Sequence, residues 1–448
     1  MSRRAPFLTG LAVLLALAPL GAQTPLTLSA ALRQAATGSV QADLAGFADL
    51  GAAQDGREIQ ASFLPEILLT GGHLNLDRDA ALLTPAFQLG PFAVPALENP
   101  VAQKSSWRYR LTADYLLYDF GKRGNALAAS RARSRAVSFQ GRQAVRKAQA
   151  EAAARYLAVL NVRARQVVVA QRRQALQDHL KDARALFEQG VVARNDLLRA
   201  EMALRGIDDA GAALGNRLAS ALEGLNVALG LAPGSAQSLP AALGPPPALP
   251  WDEAQVRQRA LQANEDLKAL RAKVEAFEAQ VRFRQRDAGP NLVAQVGHSY
   301  EENRFLVHPQ QTTLYLGLSW KLFDGGARAA KVSRAQAETD SGRRELLEAS
   351  RLAESAAASA RRGFQEAVQE MATAASNVAA ASENLRIIGD QYQQGYAKGA
   401  DVLDAESLLA ESRFALVDRH CNAYTQQAAL LAILGEDLAA FYDATREQ

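Results

Sequence analysis

The chain has 448 residues, with 50 Lys and Arg set against 47 Asp and Glu, so its formal charge is only +3. This balance, with no dense basic cluster interleaved with aromatics, argues against a nucleic-acid binder. A single cysteine, Cys421, excludes an intramolecular disulfide; its neighbour His420 points elsewhere on a helix, which makes the pair a poor chelate. The other histidines (His73, His179, His298, His308) are dispersed. No nucleophile elbow, phosphate loop or Cys/His metal pattern appears, so no enzyme, cofactor or metal site is expected.

In chain order, the first expected element is a signal peptide over residues 1–22. Arg3 and Arg4 precede an apolar run from Phe7 to Leu17, and the small residues of PLGAQ offer cleavage after Ala22. The run is too short for a bilayer-spanning helix, and no later stretch reads as one, so any membrane crossing must use strands. No cysteine stands at the cleavage site, which speaks against lipid attachment there.

Two strand pairs follow, each just before a long proline-free interval. In WRYRLTADYLLY, Trp107, Tyr109, Leu111, Ala113, Tyr115 and Leu117 alternate with Arg108, Arg110, Thr112 and Asp114. In TLYLGLSWKL, Leu314, Leu316, Leu318, Trp320 and Leu322 alternate with Tyr315, Gly317, Ser319 and Lys321. Alternation over about ten residues suits a barrel strand, apolar outward and polar inward, although a surface hairpin with one buried face fits each run taken alone. Partner strands begin at Pro65 and Pro290, giving hairpins over about 66–118 and 291–323. The segment from Thr84 to Pro100, rich in Pro and Gly, reads as a loop. Four strands cannot close a barrel in lipid without leaving edges unpaired, so a dimer or trimer is the natural solution.

From Lys122 to Gln189 there is no proline, and if helical throughout this rod is about 100 Å long. Leu176, Leu180, Ala183 and Phe187 are spaced as a coiled-coil seam. The phrase FEQGVVARNDLLRAE, starting at Phe187, returns as YQQGYAKGADVLDAE, starting at Tyr392. Gly190 and Gly395, Asp196 and Asp401, and Gly230 and Gly435 are each 205 residues apart, as are LYDFG at Leu117 and LFDGG at Leu322. The chain is therefore an internal duplication. The first repeat covers 23–230, with a helical hairpin over 122–230. A proline-rich connector spans 231–250. The second repeat covers 251–435, with a helical hairpin over 327–435, and 436–448 form a tail.

Strand hairpin, rod, turn and return helix, performed twice, resemble the TolC family of outer-membrane efflux channels. The resemblance rests on LYDFGKRG and LFDGGARA at the strand-to-rod junctions, on GVVARNDLLRAE and GYAKGADVLDAE at the turns, and on the opening LTLSAALRQA from Leu26. It implies a mostly α chain with a transmembrane β part. Three chains would form a twelve-stranded barrel, four strands each, continuing into a periplasmic α-helical coiled-coil barrel, with the connector in the equatorial belt. It implies a passive exit duct of a tripartite efflux or type I secretion system. The partners it implies are outer-membrane lipid, a periplasmic adaptor and an inner-membrane pump of RND, ABC or MFS type. The competing expectation is a secreted or periplasmic coiled-coil scaffold without a pore.

The resemblance also assigns residues. Asp401 and Asp404, three apart on one helix face, match an aspartate ring at the pore gate; helix capping is the other reading. Tyr392 and Asp196 match closed-state links between the hairpins, although Tyr392 also occupies a seam position. Gly190, Val191, Arg194, Gly395 and Lys398 match the adaptor-docking tip. An arginine of the closing set is replaced by Ala397, leaving Lys398 or Arg194 as substitutes.

Overall fold

A computed structural model describes residues 25–190 and 192–444. The expected signal segment, Val191 and the last four residues of the tail lie outside the described residues.

The chain opens with two helices, α1 (Leu28–Gly38) and α2 (Val40–Ala61). The side chains of Thr27 and Ser39 cap their first turns by accepting from Ala30 and Ala42 N–H. Strands β1 (Glu66–Asn75) and β6 (Ser105–Tyr118) follow, with four short strands between them: β2 (Ala80–Thr84), β3 (Phe87–Leu89), β4 (Phe92–Val94) and β5 (Leu97–Ala102). Rod α3 (Lys122–Glu188) and return helix α4 (Arg194–Ala228) complete the first half. The second half repeats the order: α5 (Glu253–Ala263), α6 (Glu265–Arg286), β7 (Asn291–Glu301), β8 (Gln310–Ser319), α7 (Ala327–Gln393), α8 (Gly399–Ile433) and a final short α9 (Leu438–Ala444). Asp252 and Asn264 cap α5 and α6 just as Thr27 and Ser39 cap α1 and α2.

Both rods have 67 residues and both return helices 35. The short helices α1 and α2 also match α5 and α6 in length, at 11 and 22 residues. The largest difference between the halves lies between their paired strands. There the segment read as a loop is a β-ribbon: β2 pairs with β5, and β3 with β4, both antiparallel. Prolines at 85, 91, 95 and 100 break the alternation that marks a longer strand, yet a two-stranded ribbon tolerates them at turns, edges and the register shift beside Ala81.

The main sheet runs β1-β6-β7-β8 and is antiparallel throughout, so its two outer strands each carry a bare edge. Register places Ile67, Ala113, Val296 and Leu314 in one row across the sheet, and Leu69, Leu111, His298 and Thr312 in the next. This face exposes Ile67, Leu69, Trp107, Leu111, Leu314 and Leu316. The opposite face carries Glu66 beside Asp114, Thr70 beside Arg110, and Gln295, whose amide donates to Asp114. Trp320 and Leu322, expected within the strand, lie beyond its end at Ser319.

At each junction of strand and rod an aspartate caps the helix. Asp119 accepts from Gly121 N–H (3.1 Å), Arg123 N–H (2.8 Å) and Arg123 Nε (3.0 Å), while the Arg123 guanidinium also donates to Leu116 O. Asp324 and Arg328 repeat the pair. Burial works to raise the Asp119 carboxyl, but the Arg123 bonds outweigh it and hold it below its usual range.

The largest core forms midway along the rods, where Leu28, Leu32, Tyr156, Leu160, Leu225, Leu229, Leu431 and Leu438 pack together with Leu239 of the connector. Gly230 and Gly435 explain themselves here. Both have positive φ, and a Cβ at either would strike a carbonyl oxygen, that of Gly38 at 1.7 Å or Ala263 at 2.5 Å. Each return helix thus ends hard against the first short helix of its own half. No helix among the described residues is long and apolar enough to cross a membrane.

Candidate functional site

At the far end of the rods, the two helical hairpins meet. Each rod stops at a glycine in the left-handed region, Gly190 at φ 75° and Gly395 at φ 77°. In the second turn, Tyr396 N–H donates back to Gln391 O at 2.8 Å, closing the helix end. Helix α8 then starts with Lys398 as its N-cap. A lysine side chain cannot accept a hydrogen bond, so the capping falls to Asp401, whose Oδ2 accepts from Lys398 N–H at 2.8 Å. Asp401 therefore sits three residues inside the helix rather than at its cap.

Asp404 lies one turn on, and with Asp401, Leu408 and Glu411 it forms an exposed stripe at steps of three and four. Two carboxylates of the stripe, 401 and 404, share a face at the tip. Arg194 and Lys398 are also exposed there.

Tyr392 is 7% exposed, and its hydroxyl has no hydrogen-bond partner. Its ring packs on the His179 ring at 5.2 Å between centroids. Burial, then the charges of Asp196 and Asp182, push the Tyr392 hydroxyl above its ordinary pKa. The structure thus brings Tyr392 and Asp196 together without a hydrogen bond between them. Gly399 completes the cluster: a Cβ there would lie 3.7 Å from Asp196 Cβ, 3.8 Å from His179 Nε2 and 3.8 Å from Tyr392 Cε2. All four helices of the two hairpins contribute one group to this junction.

His179 is the member that sequence reasoning passed over. It is 8% exposed. Burial lowers its pKa below 6.5, against the opposing pull of Asp182 and Asp196, so the ring is neutral at pH 7. The available signal was spacing: Leu176, His179 and Ala183 stand three and four apart, and the other two are buried seam residues. Of the expected seam, Leu176 and Ala183 are buried, whereas Phe187 is 39% exposed.

Elsewhere, His420 Nε2 lies 2.8 Å from Gly244 O, and burial raises the Cys421 thiol pKa. No cluster of His, Cys, Asp and Glu suited to a metal ion occurs among the described residues.

The fold is shared with solved structures. CusC superposes with a TM-score of 0.75 at 16% identity, over 92% of this chain and 93% of that one. VceC from Vibrio cholerae, an outer membrane protein, gives 0.72 at 18% identity, over 91% and 96%. The open state of the MtrE outer membrane channel from Neisseria gonorrhoeae gives 0.73 at 16% identity, over 92% and 89%. At these identities the likeness is one of fold. No curated protein sequence matches significantly. The family of outer membrane efflux proteins matches residues 44–231 and 256–436, one stretch in each half. These stretches cover most of the chain and set aside the poreless scaffold: the chain belongs to the outer membrane efflux protein family.

Proposed function

We propose that three copies of this chain close into a twelve-stranded barrel in the outer membrane. The rods continue it as a periplasmic tunnel, and the assembly is a passive exit duct. The observation that carries this reading is the four-stranded sheet with two bare edges and an apolar outer face. In lipid each unpaired backbone group costs several kcal/mol, so the edge of β8 must find the edge of β1 in another copy. A chain of this family that exports cargo needs an energised partner. The reading therefore includes a periplasmic adaptor docked on the tip at Gly190, Val191, Arg194, Gly395 and Lys398. Behind the adaptor stands an inner-membrane pump of RND, ABC or MFS type, or a type I secretion apparatus. Asp401 and Asp404 form the cation-attracting ring at the entrance, and Tyr392 and Asp196 belong to the contacts that keep the tip closed. The outer-membrane channels that share the fold support the location.

The test is assembly followed by conduction. Detergent-extracted protein is expected to have the mass of a trimer and to form cation-preferring channels in planar bilayers. Asp401→Asn with Asp404→Asn removes charge at nearly constant shape and should abolish most of that preference. A monodisperse, water-soluble monomer obtained without detergent would sink the reading; unchanged ion selectivity in the double variant would reduce the two aspartates to helix caps.

A further inference from the structure

The β-ribbon has no counterpart in the second half of the chain, and its tip leaves an apolar face without a partner. Phe87 pairs with Val94 and Leu89 with Phe92, so these four side chains lie on one face, with Gln88 and Ala93 on the other. Leu89 is 65% exposed and Phe92 71%. Gly90, at φ 62°, and Pro91 make a two-residue turn that fixes this pairing.

The ribbon is anchored at its base. Leu76 N–H donates to Lys104 O, and the β7–β8 loop braces it: Asn303 Nδ2 donates to Val101 O at 2.9 Å, and Arg304 pairs with Asp79 at 3.2 Å. It leaves the sheet at the end opposite the rods, since β1 enters from α2 and β6 leaves into α3 at the other end.

Asp77, Arg78, Asp79, Lys104 and Arg304 form a charged collar between the apolar belt of the sheet and the apolar tip. Burying these charges in hydrocarbon would be costly, so the ribbon tip stands on the far side of them from the apolar belt. The ribbon also grows directly out of β1, the bare edge that meets the next copy. Leu76 to Gly90 can span up to about 45 Å when extended, at roughly 3.3 Å per residue. A twelve-stranded barrel with strands about 4.8 Å apart and tilted about 40° has a wall only some 12 Å from its axis.

We propose that the ribbon tips of the three copies meet over the barrel mouth and bury Phe87, Leu89, Phe92 and Val94 against one another, forming an outer constriction on the cell exterior. The proposal rests on the trimeric reading above. In a Cys421→Ser background, Leu89→Cys is expected to give disulfide-linked dimers on oxidation in membranes, whereas Leu69→Cys in the lipid-facing belt gives none. Replacing Phe87, Leu89 and Phe92 together by Ser is expected to raise single-channel conductance at least about twofold, because an apolar constriction that excludes water is opened. Intact trimers with no cross-link and unchanged conductance would overturn the constriction while leaving the trimer standing. Quenching of a fluorophore on Leu89→Cys by brominated phospholipid would overturn it in favour of lipid contact. Absence of trimers in the unsubstituted protein would overturn both readings together.

Discussion

The two turns at the tip are built to one plan and used differently. Asp196 and Asp401 occupy the same place in their helices, three residues past the N-cap, and the rods before them have equal length. Asp401 reaches back to cap its own helix. Asp196 instead faces the junction, where its charge acts on Tyr392 of the other hairpin and on His179 of its own. The residues equivalent to that buried pair are Phe187, which has no hydroxyl, and Asn384, and both are exposed. Gly399, which admits the neighbouring rings, is matched in the first half by Arg194. Duplication supplied two equal arms, and a handful of unlike residues made one junction between them.

Breaking the asymmetry at Gly399 should have the largest effect. Gly399→Arg installs the first-half residue in a space where even a Cβ touches three side chains. Overpacking of this kind costs about 1–3 kcal/mol, equivalent to roughly 5–150-fold in the population of parted hairpins. Open probability in planar bilayers should rise accordingly with the trimer intact; an unchanged open probability would show that the junction does not hold the tip.

A smaller effect of opposite sign is expected for Tyr392→Phe. The hydroxyl is buried and unpartnered, so removing it relieves a desolvation cost of about 1 kcal/mol and should tighten the packing of the two hairpins. Open probability should fall or stay level. A clear rise would mean that the hydroxyl makes a closing hydrogen bond in the membrane.

The smallest effect concerns pH, because at His179 the aspartates partly cancel the burial. The ring is less basic in the closed junction than in water, so an opened tip binds more protons. The contribution of the neutral ring to the packed junction is therefore full above pH 6.5, the ordinary histidine value, and is lost as pH falls from there towards the lowered pKa. Channel openings should become more frequent between pH 7 and 5, and His179→Gln should flatten the profile. A wild-type profile as flat as the variant's would remove His179 from the junction's control.

Much of this was legible in the sequence because the signals were long-range and redundant. Proline-free intervals and matched offsets fix rods and turns, and alternation at Trp107–Leu117 fixes a strand and its apolar face. The ribbon was illegible because four prolines suppress alternation in strands only three to six residues long. The junction was illegible for another reason. His179 gains its character only when three other helices bury it, and no spacing within one helix records that. Asp401 was half legible: its capping role could be read, but not that Lys398, a residue unable to cap with its side chain, would start the helix.

The equal rods also act as a ruler. Deleting one residue from α3 alone would rotate everything beyond it by about 100° and shorten the arm by about 1.5 Å relative to α7. Seam residues would turn outward, and the two glycine turns would no longer arrive at the same height. Length can therefore change in a rod only if its twin changes with it, whereas the sheet end away from the rods can absorb insertions. The halves differ by a 20-residue segment placed at a strand hairpin, the kind of place where added length leaves the ruler unread.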